Sequence, residues 1–337
     1  MTSATYPALP IKTAGDPLPA GVGGVIAQRP TNPSMREGVN IWFFEENGAF
    51  GVPRLAVDAV GESWDKRLVC ANFSLPDGRV FDGWNTFPAV PTLDGESKPS
   101  IVGCTVLQFS CIEPMHKWRL SYDDEPQTGT VEEQIAKRMD PSRKARVRLN
   151  AEITFLPPPW AQYFAQSDRS FAARAMGIGW RYEVPCKVEG TFEVDGKART
   201  FKGTGIFVHR QSIRDFAGFW GHCWQAAAFP DGNAFGFNVY PKKEGQPEYN
   251  TGYIYKDGKS YDARVVEAPW LHKIVARDDD VSAVLESELG RTRIKGRTVL
   301  TTFKPSWGLM GGLNLEQSGV RYTWGDQSAI GMIERSL

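Results

Sequence analysis

The chain has no charge of prevailing sign, no long apolar run, no paired-cysteine signature and few histidines, and each shortage closes off a class of function. Lys plus Arg and Asp plus Glu each number 39, so no global field exists to draw nucleic acid or an anionic membrane. The basic run Arg143 to Arg148 is accounted for by a solvated strand start. No apolar stretch is long enough to span a bilayer, so no membrane span is expected. No basic segment followed by an apolar run marks a signal peptide. The five cysteines, Cys70, Cys104, Cys111, Cys186 and Cys223, form no CxxC pair and no Cys/His zinc spacing. A cytoplasmic protein with reduced thiols is the plain expectation. For Cys223 two readings stand, a reactive thiol or a small buried strand residue. The four histidines show no HxH or HxxxH spacing, so no metal site is expected. There is no GxSxG elbow and no GxxxxGK[ST] phosphate loop. Gly21-Val22-Gly23-Gly24 lies in a Pro-rich stretch with no preceding strand, which argues against a dinucleotide site. No cofactor is expected.

Aromatic mass and turn punctuation are what the chain does have. It carries 11 Trp, 19 Phe and 10 Tyr. Some of these rings are core, and the rest call for a cavity or an interface. The length of 337 residues suits two ordinary domains. Residues 1–33 are rich in Pro, Gly, Ala and Thr without periodicity and read as an extended arm. Structure begins at Val39-Asn40-Ile41-Trp42-Phe43-Phe44, a strand-like run. Short strand patterns separated by turn signals then dominate, among them Pro76-Asp77-Gly78, Asp195-Gly196, Pro230-Asp231-Gly232 and Asp257-Gly258. Ala145 to Leu156 alternates as a half-buried strand should. Two segments depart from the β pattern. Thr130-Val131-Glu132-Glu133 is a capping box opening a short helix that Asp140-Pro141 ends. Trp160 to Met176 has aromatics near helical spacing and reads as a helical connector between halves or a lid. The pattern predicts an all-β chain of two antiparallel barrel or sandwich domains, residues 34–178 and 179–337, with no sequence repeat between them. An eight-stranded barrel leaves room inside for one small ligand.

Chemistry-bearing residues concentrate between Gly203 and Gln225. Strand periodicity puts Phe207, His209 and Gln211 on one face and Trp220, His222 and Trp224 on one face of the next strand. If both faces are internal, two imidazoles, two indoles and an amide share one cavity, with Arg214 and Asp215 near its mouth. A mostly apolar pocket with a few convergent polar groups is what a small-molecule site looks like. Plainer roles stand beside these. His209 serves equally as a core histidine, Arg210 and Arg214 as rim partners of carboxylates, Asp215 as a turn cap, and Trp220 and Trp224 as core. His116 and His272 read as structural or exposed.

At this cluster the sequence resembles the hydroxyneurosporene synthase (carotenoid 1,2-hydratase)/AttH-like family. The matching elements are Met35-Arg36-Glu37 before an aromatic strand, Gly203-x-Gly205, Arg214-Asp215, Trp220-Gly221 and Gly331-Met332-Ile333-Glu334-Arg335-Ser336. The order of hairpins agrees over nearly the whole chain after residue 33. Fungal decalin-forming pericyclases and kievitone hydratase are similar in architecture. The family's compact Arg-Asp-His-Ser-Trp-Gly run is absent, because Phe216 to Phe219 separate Arg214-Asp215 from Trp220-Gly221. The resemblance implies two lipocalin-like domains and cofactor-free, non-redox chemistry on apolar isoprenoid- or polyketide-like molecules. The expected function is therefore a hydratase, dehydratase or isomerase. His209, Asp215 and His222 would be catalytic, and Phe207, Arg210, Gln211, Arg214, Trp220, Trp224 and Gln225 would bind substrate. A pericyclase and a non-catalytic carrier of an apolar ligand are the alternatives, and the expected partner is an apolar small molecule.

Overall fold

A computed structural model describes residues 23–156 and 159–337. Most of the anticipated arm, residues 1–22, lies outside the described residues. The first sheet takes β1 (Met35–Glu45), β2 (Gly51–Val60), β3 (Lys66–Ser74), β4 (Arg79–Pro88), β5 (Ile101–Gly103), β6 (Leu107–Glu113), β7 (Lys117–Asp124), β8 (Gln127–Thr130), β9 (Val147–Phe155), β10 (Trp160–Phe164), β11 (Ile178–Val194) and β12 (Lys197–Ile213). Its order is β5-β6-β7-β9-β11-β12-β1-β2-β3-β4-β8, with β10 on β11. The second unit is a closed barrel of β13 (His222–Ala228), β14 (Ala234–Val239), β15 (Asn250–Lys256), β16 (Lys259–Glu267), β17 (Ala283–Ser287), β18 (Gly290–Trp307), β19 (Leu313–Trp324) and β20 (Gln327–Ser336). The chain is thus all-β, as the turn spacing predicts, and lipocalin-like, as the family resemblance implies.

The sheets divide between Ile213 and His222, not between residues 178 and 179. The long hairpin β11–β12 turns at Asp195-Gly196, both at positive φ. It pairs on one side with β9 and on the other with β1, so it completes the first sheet instead of opening the second. The helical connector is corrected as well. Trp160 to Phe164 is strand, and only α2 (Phe171–Met176) is helix, ahead of β11. The aromatic spacing there serves a strand edge followed by one helical turn. The capping box is present in full around α1 (Val131–Ile135), with Thr130 and Glu133 each bonding the other's backbone N–H.

Alternation along β1 explains its unbroken apolar run. Val39, Ile41 and Phe43 enter the core of the first unit. Trp42 and Phe44 point the other way, where they meet Ile206 and Val208 of β12 and Trp224, Ala226, Leu300, Ile330 and Met332 of the barrel. Both faces are covered, so no polar alternation is required. Gly203 and Gly205 allow β12 to lie close to β1 here, since a β-carbon on either would collide with the Phe44 or Trp42 carbonyl. Polar ties across this seam include Asn72 Nδ2 to Gln317 Oε1 at 2.6 Å and Lys304 Nζ to Asp82 at 2.7 Å.

Candidate functional site

One end of the seam is open, forming a cavity of 210 Å³. The first unit contributes Arg36, Asn40 and Trp42 from β1, Arg54 and Asp58 from β2, Arg181 from β11, and Val208 and Arg210 from β12. Arg214, Phe216 and Phe219 come from the connection between the sheets. The barrel side contributes His222, Trp224, Asn238, Tyr240 and Glu334, and Trp84, Trp307 and Met310 close a further wall. Its lining is mostly apolar, as anticipated, but five guanidinium groups stand among the indoles.

His222 and Glu334 form its acid–base pair. Antiparallel pairing sets His222 opposite Ser336 and Trp224 opposite Glu334. The imidazole lies 2.7 Å from Ser336 Oγ through Nδ1 and 3.2 Å from Glu334 Oε1 through Nε2. An ionised carboxylate can only accept, so the proton in the Nε2 contact belongs to the ring. A neutral ring then accepts from the Ser336 hydroxyl at Nδ1. Burial alone would raise the pKa of Glu334, but Arg54 and His222 outweigh it and hold the carboxyl at about 2. The other carboxylate oxygen takes Gln317 Nε2 and, at 3.4 Å, Arg54 Nη1. On the same barrel side, burial pushes the Tyr240 phenol up despite Arg214 and Arg210, so it remains an O–H donor at neutral pH. Trp42 and Trp224 meet edge to face with centroids 4.7 Å apart. Arg181 lies 5.0 Å over Trp224 and bonds the buried Glu183 at 2.7 Å.

The sequence-predicted residues divide into three groups. Arg210, Arg214, His222 and Trp224 do share the cavity. Phe207, His209 and Gln211 point into the first unit instead. Phe207 packs on Trp118 and Phe155. His209 is fully buried between Trp118 and Trp180, with Nε2 2.9 Å from Glu37. Gln211 binds Glu37 and the Gly24 carbonyl, and Ile26 N–H reaches the same carboxylate. His209 thus belongs to a tether for the segment entering β1. His209 points away from His222 because the cavity face of β12 is the even-numbered one, carrying Val208 and Arg210. Asp215 is exposed and accepts the Ala217 N–H, the turn-cap role. Trp220 leaves the cavity to bond the Pro241 carbonyl at 2.7 Å and pack, tilted, against Phe171. Gln225 faces the barrel interior, where it meets Val281 and Tyr322. Cys223 does too, with burial pushing its thiol up to about 12, so it is a packed strand residue and not a nucleophile. Sequence reasoning missed Arg36, Arg54, Arg181, Tyr240 and Glu334. Arg36 and Glu334 stand inside the two terminal motifs of the family resemblance, but nothing local marks them as neighbours.

A second space of 520 Å³ opens elsewhere along the seam, around Trp160, Phe229, Tyr253 and Ile330. It is roomier, but its charged groups are Glu46 and Lys187 and it has no histidine. The chemistry therefore points to the smaller cavity.

No curated protein shows significant sequence similarity to the chain. Solved structures share the fold at low identity. A candidate AttH from Nitrosomonas europaea superposes with a TM-score of 0.56 at 14% identity, covering 90% of this chain and 92% of the other. CghA crystallised with Sch210972 gives 0.57 at 13% identity, covering 94% of each chain. At such identities the likeness concerns architecture. Residues 26–336 match the family described as a domain of unknown function, DUF7064, and the chain belongs to that family.

Proposed function

We propose that the seam cavity is the active site of a lyase- or isomerase-type enzyme, a hydratase, dehydratase or cyclase acting on an unsaturated small molecule. The observation that carries this reading is the His222–Glu334 pair, buried and fixed by Ser336, Gln317 and Arg54, yet lining a space walled by indoles. A donor N–H and a carboxylate stand side by side, as proton transfer to and from a substrate requires. Trp42 and Trp224 present aromatic surface for the apolar body of a substrate. Tyr240, a neutral donor, would polarise an oxygen of the substrate. That CghA, sharing the architecture, was crystallised with the small molecule Sch210972 is compatible with this use of the fold.

A cyclase reading has its own support. Both ring nitrogens of His222 are already engaged, which suits a wall that holds a reactive conformer better than one that moves protons. Native mass spectrometry with organic extraction would identify a bound molecule, and turnover in deuterium oxide then separates the readings. Solvent deuterium in the product, with turnover abolished by His222→Ala and binding kept, supports proton transfer. A product free of deuterium supports the cyclase. A carrier would bind with both His209 and His222 replaced and convert nothing.

A further inference from the structure

The cavity has more positive charge than its walls answer. Five guanidinium groups, those of Arg36, Arg54, Arg181, Arg210 and Arg214, line it. Of the buried arginines elsewhere, Arg335 has Glu316 and Asp279, whereas Arg67 is held by the Trp64 and Lys66 carbonyls and the Trp64 ring. Here Arg54 takes Glu334 and Arg181 takes Glu183. Among the described residues no carboxylate lies within ion-pair distance of Arg36, Arg210 or Arg214. Arg210 Nη1 bonds the Met176 carbonyl and Arg214 Nε the Ala175 carbonyl, each at 2.9 Å. These are the last carbonyls of α2, whose end carries at most about half a unit of negative charge. Arg36 Nε is buried with no acceptor, as are Arg54 Nε, Arg181 Nε and Trp42 Nε1, whereas the orphaned buried acceptor among the described lining residues is Asn238 Oδ1. Asp58, on the same wall, is the remaining carboxylate that lines the cavity.

We infer that the cavity is built for a substrate that is an anion at neutral pH, a carboxylate or an acidic enol, whose charged oxygens are taken by Arg210, Arg214 and Arg36. This rests on the reading of the cavity as the substrate site and adds the substrate's charge class to it. A buried guanidinium without a counter-charge costs several kcal/mol, and a planar, two-oxygen anion matches its fork of donors. Burial, then Arg214 and Arg181, outweigh the opposing pull of Asp58 and press the Arg210 guanidinium toward losing its proton, and burial and Arg36 bring Arg214 down to about 9 against the same carboxylate. An entering anion relieves both. The Tyr240 hydroxyl, close enough to feel Arg214 and Arg210, is a neutral donor to the same oxygens. The apolar body of the substrate then lies against Trp42 and Trp224.

The test is isothermal titration of the full chain at pH 7 with 2-naphthoic acid, a carboxylate at that pH, and with the neutral 2-naphthalenemethanol of nearly the same shape. The acid is expected to bind at least tenfold more tightly. Arg210→Met should bring the ratio to near one, and Arg210→Lys should restore part of it. Arg36→Met, at a half-buried position, repeats the test should Arg210→Met fail to fold by circular dichroism. Equal binding of acid and alcohol would overturn this inference and leave the cavity reading standing. An acid preference that survives both arginine substitutions would overturn the assignment to these side chains. Absence of binding by either compound would overturn the cavity reading along with it.

Discussion

Glu334→Gln is the perturbation that probes the site and the seam together. The variant keeps the shape of the side chain and its contact with Gln317, but removes the charge that faces Arg54 and His222. The fall of this carboxyl from an ordinary 4.5 to about 2 corresponds to about 3 kcal/mol of stabilisation at neutral pH. Breaking a buried ion pair from one side costs about 3–5 kcal/mol, a similar size reached by a different route. The sign follows from the direction of the shift. A carboxyl depressed on folding stabilises fully above pH 4.5, and the contribution fades as pH falls toward 2. Glu183 and Glu316, whose burial raises their carboxyls, act in the opposite sense in both proteins and cancel in the difference. Urea denaturation of wild type and variant, followed by tryptophan fluorescence, should give a gap of about 3 kcal/mol at pH 7 that has narrowed by more than half at pH 3. A gap below about 1 kcal/mol at pH 7, or one unchanged at pH 3, would refute the electrostatic account of Glu334.

His209→Ala should destabilise the fold by about 2–4 kcal/mol, since Glu37 loses a buried partner, yet leave 2-naphthoic acid affinity within about twofold of wild type on titration calorimetry. Gly205→Ala should cost about 1–3 kcal/mol by overpacking β12 against β1, seen as a lowered denaturation midpoint. The four buried thiols, Cys70, Cys104, Cys186 and Cys223, should react with a thiol reagent only as fast as the protein opens. Rapid modification of Cys223 in the native protein would contradict its placement.

Much of the fold was legible because hairpin turns leave local marks. Asp-Gly pairs sit where the chain needs positive φ, as at Asp195-Gly196 and Asp257-Gly258, and the Thr130–Glu133 box caps the helix it announces. The domain boundary was not legible. Whether the β11–β12 hairpin joins the preceding or the following strands depends on long-range pairing with β1 and β9, which no local pattern encodes. The site was legible by half for a related reason. Periodicity separates the two faces of β12 but does not say which one is walled by the barrel. Phe207 and His209 on one face look as promising as Val208 and Arg210 on the other. His222 and Trp224 were found by alternation along one strand, whose shared face is the one turned to the seam. Glu334 escaped notice because β13 meets β20 across a sequence separation of more than a hundred residues.

β1 and β12 are two-sided strands, with one face packed into the first unit and the other exposed to whatever occupies the seam. Stability and recognition are therefore written in alternate letters of the same short segments. Odd positions such as Val39, Ile41 and His209 are tied to the core of the first unit, whereas even positions such as Asn40, Val208 and Arg210 line the cavity. Point substitution can thus tune this protein's selectivity finely, and a single inserted residue cannot. Shifting β12 by one would carry Arg210 into the aromatic core and His209 out to the seam, erasing both messages at once.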